Sequence, residues 1–130
     1  MCSFQAGWFK FLFSTVHIYF GETSRTKYQR RVDEVDSVAK FLAKRARDDD
    51  QNHVLVGDFN IVKHGSPGFN ALEKHGFKIF KNKEGSNKDQ KKFYDQISFR
   101  VREGELRIAD SENCNGVFQF FDSIFREEDF

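Results

Sequence analysis

Val54-Leu55-Val56-Gly57-Asp58-Phe59-Asn60 is the stretch on which the reading of this chain turns. With His53 before it, the run Val54-Leu55-Val56 predicts a short buried strand, because β-branched and large apolar residues suit a sheet covered on both faces. Gly57 ends the apolar run, and Asp58 and Asn60 follow at a spacing of two. In an extended chain, residues two apart point to the same side. A carboxylate and an amide presented together suit hydrolysis: the acid can take a proton from water, and the amide can orient that water or a phosphate oxygen. The ordinary alternative is a strand-to-loop turn, since Asp and Asn are common turn residues.

Working outward, residues 8–20 (WFKFLFSTVHIYF) are mostly apolar at both odd and even positions, which predicts a strand covered on both faces. Residues 28–47 predict a helix. Val32, Val35, Ala39, Leu42 and Ala46 fall at alternating three- and four-residue steps, with Val38 beside them and charge on the other face. Asp48, Asp49 and Asp50 end it against the helix dipole. Beyond the central stretch, residues 70–75 suggest a short helix stopped by Gly76, and 77–80 a strand. Residues 82–92 form a polar loop. Two strands, 93–102 and 106–109, are joined by a turn at Glu103-Gly104-Glu105. Residues 117–125 fit an amphipathic helix. This order predicts an α/β or α+β fold.

Composition narrows the function. The chain has 130 residues, 21 Lys+Arg against 20 Asp+Glu, and a formal charge of +1. That length suits one domain. No run reaches the roughly 18 apolar residues of a membrane helix, and residues 1–10 lack a secretion signal, so a cytoplasmic protein without stable membrane insertion is expected. Cys2 and Cys114 are too few for a disulfide framework or a zinc site. Phe supplies 17 residues, which implies a thick core or a core with part of its cover missing. Binding of nucleic acid by the field of the whole molecule is disfavoured by the +1 charge and by the lack of a basic helix or a stacking platform. Any phosphate contact is therefore local.

The string LVGDFNIV, preceded by STVHIYFG and followed by FYDQISF, resembles the endonuclease/exonuclease/phosphatase superfamily, the DNase I-like metal-dependent phosphoesterases. The three segments stand in the family's order, and the helix with Arg31 and Glu34 lies where the family has one. The resemblance implies a four-layer α/β sandwich with mixed, mainly antiparallel sheets. It also implies a divalent ion, Mg²⁺ or Mn²⁺, and in-line attack of an activated water on a phosphoester. By the same resemblance His17 contacts the phosphate region, Asp58 and Asn60 polarise and orient water and phosphate and stand near the metal, and Asp95 orients a histidine. The substrate class stays open among nucleic acid, inositol phosphate and phospholipid headgroup.

The chain also departs from the pattern. The family's metal-binding glutamate and its closing Ser-Asp-His run are not found, so residues 1–130 are expected to be a partial domain, matching the second half and inactive alone. A non-catalytic module that pairs with a complementary half is the alternative. Asp95, set in an apolar strand, is expected to be a buried acid without its partner, which is costly. His53, His64 and His75 lack metal-ligand spacing and read as surface or loop residues. Gly57, Gly65 and Gly68 do not make a phosphate-cradling loop. Lys81, Lys83, Lys88, Lys91 and Lys92 make a basic loop offset by Glu84 and Asp89, either solvated or touching a phosphate backbone.

Overall fold

Residues 1–20, 24–104 and 116–118 are described by the structure, a computed structural model. Within them the chain runs β1 (Cys2–Ala6), β2 (Phe9–His17), α1 (Arg25–Asp48), β3 (Asn52–Asp58), α2 (Pro67–Lys74), β4 (Lys78–Ile79) and β5 (Asp95–Arg100). One five-stranded sheet has the order β1-β2-β3-β5-β4. The β2–β3 pair is parallel and the other three pairs are antiparallel. The fold is therefore α/β with a mixed, mainly antiparallel sheet. Among the described residues it has two layers, helices on one side of a sheet, where the resemblance implied four. The expected strand 106–109 and all but two residues of the expected helix 117–125 lie outside the described residues.

A parallel pair requires a crossover, and α1 supplies it between β2 and β3. The predicted stripe is the buried one: Val35, Ala39, Leu42 and Ala46 face inward, joined by Ala43 and by Arg31. The helix begins three residues earlier than the stripe predicts, after Ser24, and ends at Asp48. Its acidic terminus is compensated by ion pairs from Arg45 to Asp49 (2.9 Å) and from Arg102 to Asp50 (2.8 Å). α2 starts with Pro67, whose missing N–H is harmless in a first turn. Phe69, Leu72, Phe77 and Ile79 close the core against Ile18, Val35, Leu55 and Phe59.

Strand register sorts the side chains into two faces. Leu12, Ser14, His53, Leu55 and Ser98 share the face under the helices, and all five are buried. Phe4, Phe11, Phe13, Val54, Val56, Ile97 and Phe99 share the other. The expectation that β2 is covered on both faces fails. Its Leu12 and Ser14 are buried, but Phe9, Phe11 and Phe13 are only half-buried, because both helices lie on the opposite side. Those rings cover one another instead. Phe4 stacks on Phe11 at 5.8 Å and Phe9 on Phe11 at 5.2 Å. β1 supplies Phe4 and has no counterpart in the sequence reading; all five of its residues are exposed.

Candidate active site

Register aligns three of the four candidate residues. His17, the last residue of β2, is paired with Asp58, the last of β3, and Asp58 is paired with Asp95, the first of β5. Paired residues share a face, so an imidazole and two carboxylates stand abreast at one end of the sheet, on the face away from the helices. His17 and Asp95 are exposed and Asp58 is half-buried. The expected burial of Asp95 is thus corrected. It begins its strand at the sheet end, its N–H donates to Ser86 Oγ at 2.9 Å, and solvent reaches its side chain.

Asn60 stands apart from that row. It is buried, with φ at 52°, and its Nδ2 donates to Ile18 O at 2.6 Å. Its backbone N–H donates to Asp58 Oδ1 at 2.8 Å, an Asx-type turn that fixes the carboxylate. The amide therefore sews the end of β3 to the end of β2 and holds Asp58. Gly57 permits the arrangement: its φ is 145°, and a Cβ there would lie 1.9 Å from Val16 O.

Helix α1 braces the turn from below. Buried Arg31 donates from Nη1 to Asn60 O at 3.0 Å, and its guanidinium lies 5.5 Å from the Phe20 ring and 5.1 Å from Tyr28. A charge so enclosed is tolerable because hydrogen bonding and ring faces replace water. One turn on, Glu34 Oε2 accepts from Tyr19 N at 3.4 Å. The role of Arg31 was missed, although a signal existed: it lies four residues before Val35 and continues the apolar stripe as an arginine.

Of the remaining histidines, His64 and His75 sit in turns, as expected, whereas His53 lies within β3. His53 is fully buried, its Nε2 lying 2.9 Å from Ser14 Oγ, and burial pushes its imidazole below the usual histidine range, with Arg100 and Arg45 adding to the effect. His64 is half-buried between Phe69 and Phe93, at 5.2 and 4.2 Å between ring centres. His75 reaches Asp36 at 2.9 Å; Lys74 and His75 together hold that carboxyl below its usual range.

Among the described residues no three His, Cys, Asp or Glu side chains converge as a metal ion requires. Asn60, expected beside the metal, is buried, with its Nδ2 donating to Ile18 O. The expected metal residues thus contribute one carboxylate, Asp58, and one amide, Asn60, with no larger cluster of acids, histidines or cysteines around them among the described residues.

Beside Asp95 lies a cavity of about 340 Å³, lined by Asn82, Ser86, Asp95 and Gln96 with apolar walls from Val56 and Ile97. That is within the usual range of ligand pockets. Asn82 and Ser86 bring part of the basic loop to its lining.

No protein-family model and no curated protein matches the chain. A solved structure of an endonuclease/exonuclease/phosphatase family protein from Bacteroides thetaiotaomicron is similar at 18% identity, with a TM-score of 0.43. The match covers 71% of this chain and 35% of that one, so this chain spans about a third of its length. A likeness of that extent carries no argument about chemistry.

Proposed function

We propose that this chain carries the phosphate- and water-facing part of a phosphoester-hydrolysing site. The carrying observation is the alignment of His17, Asp58 and Asp95 on one exposed sheet end, in segments that resemble a phosphoesterase superfamily. In this reading Asp58 accepts the proton of the attacking water, with its orientation set by the Asn60 N–H. His17 donates an N–H to a non-bridging phosphate oxygen, where charge accumulates during in-line attack. Asp95 orients a hydrogen-bond donor at the far side of the same phosphate. Asn60 is a positioning residue, acting through Asp58 and the end of β2. The divalent ion that the resemblance implies enters none of these steps.

The test uses bis-p-nitrophenyl phosphate, with amide chemical shifts and p-nitrophenolate release read on the same sample. Shifts centred on His17, Asp58 and Asp95 are expected, and any hydrolysis should fall about 100-fold or more in Asp58→Ala. Hydrolysis that survives Asp58→Ala, or shifts confined to another surface, overturns the assignment.

A further inference from the structure

The whole chain is nearly neutral, but its charge is unevenly placed. Residues 81–92 carry five lysines against two acids, a net +3 against +1 for the chain, so the remainder is net acidic. This loop is not a loose tail. Gly85 N donates to Gln90 O at 2.8 Å, Ser86 N to Lys92 O at 2.9 Å, and Asn87 Oδ1 accepts from the backbone N–H groups of Lys91 and Lys92. At its neck a Cβ on Gly85 would lie 2.5 Å from the Lys92 backbone, so glycine is required for the closure. Lys81, Lys91 and Lys92 are exposed around it.

Aromatic rings stand at the same end of the sheet. Phe20 is 48% exposed and meets Tyr94 edge-on at 6.1 Å. Lys92 Nζ lies 5.6 Å from the Tyr94 ring. Tyr19 is 43% exposed, with the Arg30 guanidinium 4.8 Å from its ring. Cations interleaved with exposed rings beside a phosphate-facing row form the surface that single-stranded nucleic acid uses: lysines track the backbone and bases stack on the rings. In sequence Tyr19 and Phe20 look like the end of a strand covered on both faces, but they follow the end of β2 and stand exposed, which is what makes a stacking platform available.

We infer that this basic–aromatic rim binds single-stranded nucleic acid, threading its backbone along the loop toward the His17–Asp58–Asp95 row. The inference rests on the phosphoesterase reading only for what happens at that row; the binding itself needs no hydrolysis. A duplex fits less well, since its base faces are hidden. A small polyanion or an anionic bilayer would use the lysines and leave the rings idle.

The experiment is fluorescence anisotropy of a labelled 12-nucleotide oligothymidylate, and of its RNA counterpart, with the whole chain in EDTA and the length of the strand checked on a gel after each titration. With three lysines engaged, log K should fall against log salt with a slope of about −2. Replacing Lys81, Lys91 and Lys92 together by Gln should flatten that slope and weaken binding at least tenfold. Phe20→Leu should weaken binding about fivefold or more, while an abasic 12-mer should lose the same increment and show no response to Phe20→Leu. The inference is overturned if the oligonucleotide does not bind at low salt, or if the lysine variant is without effect. It is equally overturned if the abasic strand, duplex DNA or phosphatidylserine vesicles bind as tightly as the single strand. Binding that behaves as expected in a protein that hydrolyses no phosphoester would leave this inference standing and remove the hydrolytic one.

Discussion

The two faces of the sheet are built from similar apolar strands and end in different surroundings. Under the helices, Leu55 and Leu72 are fully enclosed, and polar Ser14, His53 and Ser98 are enclosed with them. Each finds a partner there: Ser14 and His53 each other, and Ser98 Oγ donates to Leu55 O at 3.0 Å. On the other face Phe4 and Ile97 stay 49% and 53% exposed, and the rings of β1 and β2 shelter one another. Aromatic content therefore reports that a strand exists and says nothing about whether its face is covered. The proposed chemistry follows the same division. The covered face supplies stability, and the open face ends in His17, Asp58 and Asp95.

The most disruptive test strikes the strand pair common to both faces. In Gly57→Ala the new Cβ meets Val16 O at 1.9 Å in a backbone conformation that L side chains rarely adopt. Neither atom can move without parting β2 from β3. A loss of about 4 kcal/mol or more is expected in urea unfolding, in the range reserved for severe backbone or core damage. Gly65→Ala, also at positive φ but with open space around it, should cost only about 1 kcal/mol. Equal costs would mean that the close approach of Gly57 to Val16 does not hold the row together.

Much of this was legible in the chain. The spacing of Val35, Ala39, Leu42 and Ala46 gives α1 its buried face, and Val54-Leu55-Val56 gives β3. Register, which needs the partner strand, is what sequence pattern lacks. That is why Asp58 and Asn60, equivalent by their spacing of two, separate in the fold. Asn60 turns at positive φ and spends its amide on Ile18 O, while Asp58 stays in the strand. It is also why Asp95 reads as buried in FYDQISF and is exposed: the strand starts at that residue instead of running through it. β1 is short and its residues Ser3 and Gln5 alternate with Cys2 and Phe4, a pattern too brief to stand out beside β2.

A test of intermediate size probes the covered face through His53. Its imidazole sits below the ordinary 6.5 because burial disfavours the charged form, with Arg100 and Arg45 acting the same way. Above pH 6.5 the folded and unfolded chains are both neutral there, and pH has no leverage. Below it the unfolded chain takes a proton that the folded chain refuses, so stability falls until pH reaches the folded value. Each pH unit inside that window costs up to about 1.4 kcal/mol. Nδ1 explains the refusal: it is buried with no hydrogen-bond partner, so a proton added there would have no acceptor. Urea midpoints at pH 7.5 and 5 should differ in the parent and converge in His53→Gln. A parent midpoint unchanged between those pH values would mean that water reaches the covered face.

The smallest expected effect asks whether the open face is open in solution. Leu72, fully buried on the helix side, should cost about 3 kcal/mol when cut to Ala, as enclosed leucines do. Phe4 is a larger side chain, but about half of it is already in water, and its ring contacts are a stacked one with Phe11 and an edge-on one with Phe13, each at 5.8 Å. Such pairs contribute about 0.5–1.5 kcal/mol beyond area, so Phe4→Ser should cost about 1 kcal/mol and reduce the binding of a hydrophobic dye. Size alone would rank the two substitutions the other way round. If Phe4→Ser proves as costly as Leu72→Ala, something covers the β1–β2 face in solution, and concentration would then decide what it is. A cost that grows with protein concentration means a second copy; a constant one means part of the same chain. The division between a stabilising face and a working face survives only if the larger side chain proves the cheaper to lose.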